Sequence, residues 1–172
     1  DYAFLSEKYL YTSFDAQMME DIYTDQERRI YDDPEGNHDM VIVLDDIIKS
    51  SDNKAKDVLS RLFTLSRHVR VFCVLISQSL NHELTPTIKM NLDLVFIFRS
   101  RNYENKKTIA DLWMGFSAKD DRDKSFKVID TIAEGYRILV INNTLHTNKI
   151  EDILSYYEVD VEKSVPKNYY LE

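Results

Sequence analysis

The sequence predicts an α/β fold, a mainly parallel sheet flanked by helices, on three observations. Short β-branched apolar runs recur at Met40 to Leu44, Val69 to Ile76, Leu92 to Phe98 and Tyr136 to Ile141. Between them lie segments with apolar residues at helical spacing, bounded by polar loops. Strands alternating with helices imply right-handed crossovers and neighbouring strands that run the same way.

In chain order, Tyr9 to Phe14 is a short β-prone run, and Asp15 is placed to cap a helix from Ala16 to about Tyr31. On that helix Met18, Met19, Ile22, Tyr23 and Ile30 can form one face. The loop from Asp32 to His38, with Pro34 and Gly36, ends it. Met40 to Asp46 then reads as a parallel strand buried on both faces, since its apolar run does not alternate. A polar loop from Lys49 to Asn53 precedes a helix from about Lys54 to Arg67, whose Ala55, Val58, Leu59, Leu62, Phe63 and Leu65 make a stripe for the sheet.

The second buried strand, Val69 to Ser77, ends in Gln78. Pro86 sits in a loop or broken helix before the third strand, Leu92 to Phe98. A helix from about Glu104 to Phe116 is expected to turn Ile109, Leu112, Trp113 and Phe116 inward. The charged segment from Ala118 to Lys127 leads to the last strand, Tyr136 to Asn142, and Ile150 to Tyr157 closes the folded part. The expected organisation is one α/β domain over 1–157 and a tail over 158–172, an acidic and aromatic stretch to which the sequence assigns no chemistry.

The 172 residues are 44% apolar and 12% aromatic, enough for a core and unlike a disordered chain. A net charge of -8 excludes a surface that coats nucleic acid broadly, so any DNA contact must be local. The lone Cys73 lies in an apolar run and points to a reducing compartment. No apolar stretch is long enough to span a bilayer, and no signal peptide is visible.

Chemistry concentrates where Met40-Val-Ile-Val-Leu ends in Asp45-Asp46. In open α/β sheets ligands bind at the carboxyl ends of strands. In a nucleoside triphosphatase one acid at that place holds the Mg²⁺ shell and its neighbour orients or deprotonates the attacking water. Read locally, such a pair also serves to solvate a turn or cap the next helix. One helix and one strand separate Asp45 from Gln78, so that amide can reach the same sheet edge. There it can bond the attacking water or the γ-phosphate without adding repulsive charge. The plainer role of Gln78 is to mark where a strand meets solvent. Arg67, in Ser66-Arg67-His68, either complements the helix C-terminal dipole or offers a guanidinium to a neighbouring subunit's γ-phosphate.

Taken together, Val41 to Asp46, Ser66-Arg67-His68, Leu75-Ile-Ser-Gln78, and Leu94 to Phe98 followed by Arg99 and the Glu104-Asn105 helix resemble the poxvirus-type genome-packaging ATPases. These belong to the FtsK/HerA branch of the P-loop motor ATPases. The resemblance covers roughly residues 40–144. It implies a P-loop, RecA-like fold and an ATP-driven homo-oligomeric ring that moves double-stranded viral DNA into a preformed capsid, with capsid or portal proteins as partners. By position it makes Asp45 the Mg²⁺-coordinating acid, through water, and the link to ATP. It makes Asp46 the catalytic carboxylate, Gln78 the sensor and Arg67 a finger acting on the neighbour. It places the protein in the host cytoplasm, at the virus factory, or in the virion. Other FtsK/HerA-type translocases or helicases, and a non-hydrolysing structural homologue, are the alternatives.

One part of that pattern is missing. A Walker A loop, G-x-x-x-x-G-K-[ST], presents backbone N–H groups and a lysine to the phosphates. The three glycines, Gly36, Gly115 and Gly135, form none. With Asp1 as first residue, the expectation is that the phosphate loop lies upstream in a longer protein.

Other constellations are weaker. His38, His68, His82 and His146 are scattered, with no paired spacing for zinc. His82-Glu83 runs on as Leu-Thr-Pro, without the second histidine of a metalloprotease helix. The basic residues from Arg99 to Lys127 alternate with acids and read as a solvated face. Residues 119–127 and the loop from Asn81 to Lys89 are the candidate pore elements, since a channel needs few phosphate contacts.

Overall fold

The computed structural model describes residues 5–47, 53–78, 80, 84–114, 119–132, 135–147 and 149–160. The chain divides into two compact units, Asp1–Asn91 and Leu92–Glu172. Most of the expected 49–53 loop, His82-Glu83, Gly115, Phe116 and residues 161–172 of the expected tail lie outside the described residues.

The first unit opens with a 3-10 turn at Glu7–Tyr9, and the expected strand over 9–14 is absent from these described residues. Helix α1, Ala16–Asp32, begins where expected. The Asp15 carboxylate accepts from the backbone N–H groups of Gln17 (2.8 Å) and Met18 (3.0 Å), satisfying two donors the helix cannot pair itself. Asp25 pairs with Arg28 and Arg29 one turn on, and those hydrogen bonds, Arg28's first, hold its carboxyl below the usual carboxylate range. The inward face holds Met19, with Ile22, Tyr23 and Ile30 half-buried.

One inward residue of α1 is polar. The Gln26 side chain is buried and donates to the carbonyls of His38 and, at 3.1 Å, Val69. It fastens the helix to the segments that lead into both strands of this unit.

Strand β1, Met40–Asp45, pairs in parallel with β2, Val71–Ile76, in the register Met40↔Val71 to Asp45↔Ile76. Between them runs α2, Asn53–Leu65, with Ala55, Val58, Leu59, Leu62 and Phe63 buried as the spacing predicts. This β-α-β crossover bears out the α/β expectation. A 3-10 turn, Ser66–Val69, and Arg70 in the left-handed region (φ 49°) carry the chain into β2. The Arg70 guanidinium donates to the carbonyls of Gly36 (2.9 Å) and Pro34 (3.0 Å), clamping the loop before β1. Gly36 is a packing glycine there: a β-carbon would run into the Asp33 carboxylate and the His38 ring.

The expectation that β1 is buried on both faces is corrected. Leu44 and Val71 are buried, while Val41 and Phe72, which oppose each other in the register on the other face, are 64% and 62% exposed. A single crossover helix covers one face of the pair. An unbroken apolar run does not distinguish a strand covered on one side from one covered on two.

Short helix α3, Pro86–Met90, completes the unit, capped by the Thr85 hydroxyl and packed on α2. Ile88 is buried, and Thr85 is 3.0 Å from the Ser60 hydroxyl of α2. The described part of the expected pore loop is therefore docked on a helix.

The second unit is built on β3, Leu94–Ile97, β4, Arg137–Asn142, and β5, Leu154–Glu158, in that order and antiparallel throughout. The parallel arrangement thus holds for β1 and β2 and not for these three strands. β5 was not expected. Helix α4, Tyr103–Trp113, is capped by the Asn102 side chain, which accepts from the Asn105 N–H at 3.1 Å. Its buried residues are Ile109 and Ala110, with Met114 just beyond; Leu112, expected inward, is exposed.

The charged segment before β4 is a helix, α5, Lys119–Ile132. Ser125 and Ile129 are buried one turn apart, and Phe126 meets Tyr103 of α4 edge to face at 5.4 Å. Lys106 of α4 and Asp130 of α5 form a salt bridge. A four-residue helix, α6, Ile150–Ile153, leads directly into β5. No helix among the described residues is long and apolar enough to cross a membrane.

Candidate functional site

The parallel pair fixes where the sequence-predicted residues lie. At one end the Met40 N–H donates to the Arg70 carbonyl (3.1 Å), and at the other the Asp46 N–H donates to the Ile76 carbonyl (3.1 Å). The second bond extends the ladder one residue past β1. Asp45 and Asp46 therefore share an edge with Ser77 and Gln78, the residues that follow β2. Asp45 and Gln78 are exposed, and Asp46 is half-buried. This is the carboxyl end of both strands, where open α/β sheets bind ligands.

Asp46 has φ 50°, in the left-handed region. Among non-glycine residues Asp and Asn enter it most readily, because their short polar side chains bond locally. The turn redirects the chain directly after the ladder bond and separates the Asp46 side chain from the strand's alternation.

Arg67 lies elsewhere. It is exposed on the 3-10 turn before β2, at the opposite end of the strands from Asp46 and Gln78. Six strand residues at roughly 3.3 Å each put about 20 Å between the two edges. The fold thus brings Asp45, Asp46 and Gln78 to one edge and Arg67 to the other. None of the four is without an interaction partner.

The donors at the carboxyl edge are oxygens and an amide. Carboxylate oxygens suit Mg²⁺, a hard cation that keeps several waters and takes one or two protein carboxylates beside substrate phosphates. Among the described residues no group of three or more His, Cys, Asp and Glu side chains is placed to hold a metal ion.

Cys73 faces the covered side of β2 beside Ser66, and burial pushes its thiol up to about 11. That thiol is a poor nucleophile at neutral pH. A shallow cleft between α1 and α2, lined by Tyr23, Arg61 and Leu62 among others, contains none of the predicted site residues. There the Arg61 guanidinium lies 5.6 Å from the centre of the Tyr23 ring.

No family model matches the chain. It is 28% identical over 126 residues to uncharacterized protein 015R of Frog virus 3 (isolate Goorha), covering 73% of this chain and 38% of that protein. To uncharacterized protein L437 of Acanthamoeba polyphaga mimivirus it is 26% identical over 127 residues, 73% of this chain and 42% of that one. Uncharacterized protein 088R of Invertebrate iridescent virus 3 is 26% identical over 160 residues, 92% of this chain and 59% of that one. These relatives are viral proteins, and the chain spans less than two thirds of each.

Among solved structures, the fold matches the genome packaging NTPase B204 of Sulfolobus turreted icosahedral virus 2. For its complex with AMP the TM-score is 0.53 at 12% identity, over 86% of this chain and 64% of that one. For its complex with AMPPCP the score is 0.52, again at 12% identity, over 84% and 62%. At that identity the likeness is one of fold.

Sequence reasoning missed two features of this site. The left-handed turn at Asp46 is signalled only by an Asp at a strand end, and the open sheet face has no signal within β1 itself.

Proposed function

We propose that this chain is part of an ATP-hydrolysing motor that moves viral double-stranded DNA into a capsid. One observation carries the reading: the in-register parallel pair that brings Asp45, Asp46 and Gln78 to one carboxyl edge. The fold likeness to a viral packaging NTPase and the viral relatives support it.

In this mechanism Asp45 holds the water shell of the metal, and Asp46 orients the attacking water and accepts its proton. The Gln78 amide bonds that water or the γ-phosphate without adding charge. A Mg²⁺ ion held there with the nucleotide would supply positive charge to its phosphates. Arg67 stabilises transition-state charge at another copy's nucleotide, which makes the working form a homo-oligomeric ring on DNA with capsid or portal proteins as partners. These 172 residues contain no glycine-rich phosphate cradle of the G-x-x-x-x-G-K-[ST] kind.

The test is DNA-stimulated ATP hydrolysis by the full-length protein, with Asp46→Asn abolishing it while the fold is retained. Absence of both nucleotide binding and hydrolysis would overturn the reading in favour of a non-hydrolysing structural homologue. Empty capsids on loss of the gene would separate packaging from another translocase or helicase role.

A further inference from the structure

Gln26 and Arg67 belong to different elements but meet the same edge of the parallel pair. The turn Ser66–Val69 buries its two ends, Ser66 and Val69, and exposes Arg67 and His68 between them. A single 3-10 turn has poor internal hydrogen-bond geometry, so its aim is set by what holds its ends.

The Arg70 N–H donates to the Ser66 carbonyl and closes the turn. Arg70 itself is left-handed (φ 49°), a state that a non-glycine residue keeps only where its surroundings impose it. Those surroundings come from two sides. The Met40 N–H donates to the Arg70 carbonyl, and the Arg70 guanidinium grips the carbonyls of Pro34 and Gly36. From α1, the buried Gln26 amide donates to the Val69 carbonyl at 3.1 Å and to the His38 carbonyl. One side-chain nitrogen with two protons thus serves two carbonyls, and it is satisfied only while the turn and the His38 loop keep their spacing. Burial alone is better met by an apolar residue, since an amide without partners is costly there. What the amide adds is direction, and it adds it at the edge of Arg67. Asp45, Asp46 and Gln78 lie about 20 Å away along β2.

We propose that Gln26 is a positioning residue for Arg67: by tying Val69 to His38 it fixes the turn that carries the guanidinium. Buried in its own chain, Gln26 touches no nucleotide and acts only through that turn. The inference rests on the role given above to Arg67 at another copy's nucleotide.

A double-substitution cycle in ATP hydrolysis by the full-length protein tests it, with single-turnover rates at saturating ATP taken per folded molecule. Gln26→Met is close in size and flexible but has no donor. It should lower the rate about 10- to 100-fold, the loss expected of a displacement near 1 Å. Half-saturation by ATP should stay unchanged, because the acidic edge is untouched. Arg67→Ala alone should lower the rate about 10³-fold or more. In that background Gln26→Met should cost no more than about twofold further, since no guanidinium is left to misplace. An equal loss with and without Arg67, or no loss with Arg67 present, overturns the positioning role. If Arg67→Ala alone leaves the rate intact, the reading of Arg67 fails and this inference falls with it. Should Gln26→Met fail to fold by circular dichroism, Gln26→Asn, a methylene too short to serve both carbonyls, runs the same cycle and decides.

Discussion

In the first unit β1 and β2 run the same way, so both strands end at one edge, and Asp45, Asp46 and Gln78 gather there. In the second unit β3, β4 and β5 alternate in direction, so each edge mixes strand starts with strand ends. Parallel pairing concentrates loop residues of consecutive strands at one place, and antiparallel pairing distributes them. The first unit accordingly holds the candidate chemistry. The second, in which Ile129, Leu139 and Ile141 have no exposed surface, reads as scaffold.

The largest expected effect tests the first half of that contrast. Asp46→Asn should lower ATP turnover of the full-length protein by about 10²- to 10⁴-fold, the usual weight of a general base. Asn tolerates the left-handed turn, so the urea midpoint should hardly move. A turnover that survives the substitution would remove the chemical distinction between the units.

Leu139→Ala addresses the scaffold. Removing this fully buried side chain should cost about 2–5 kcal/mol by urea denaturation, with turnover per folded molecule unchanged. A selective loss of turnover instead would mean that the second unit takes part in the chemistry.

Cys73 reports on the covered face of the parallel pair. Burial raises its thiol from 9.0 to about 11, so folding favours the protonated form. Its contribution to stability is whole below pH 9 and is lost as pH rises toward 11. Alkylation at pH 8 should be about 100-fold slower in the native protein than in urea, the thiolate ratio for a shift of that size. Equal rates would show that β2 is open on both sides.

Gln26→Ala should destabilise by about 1–3 kcal/mol, because the His38 and Val69 carbonyls lose their shared donor. The smallest effect belongs to Asp15→Ala, about 1 kcal/mol from a lost helix cap, read as a shift in thermal midpoint.

What the sequence made legible was local. The stripe on α2 and the Asp15 cap follow from spacing and side-chain chemistry within a turn or two, and both stand as expected. The strand with Asp45-Asp46 and the strand before Gln78 were also readable, since apolar β-branched runs bounded by polar residues are compact signals. Helix α5 was obscured because charges outnumber the apolar residues of its stripe, which is little more than Phe126, Ile129 and Ile132 beside Ser125. β5 was hidden for another reason. Leu154-Ser-Tyr-Tyr-Glu158 has a weak pattern of its own and becomes a strand by pairing with β4. Gln26 could have been found, since it occupies the i+7 position of a stripe that starts at Met19, where a polar residue must bring partners with it.

The two ends of α2 have a kinetic consequence. This helix leaves the edge that carries Asp46 and finishes next to Arg67, at the far side of the strands. An arginine side chain does not bridge a gap of about 20 Å, so one molecule cannot bring its own guanidinium to its own acids. If that guanidinium assists hydrolysis, the rate per molecule must fall on dilution, and inactive Arg67→Ala and Asp46→Asn proteins must regain activity when mixed.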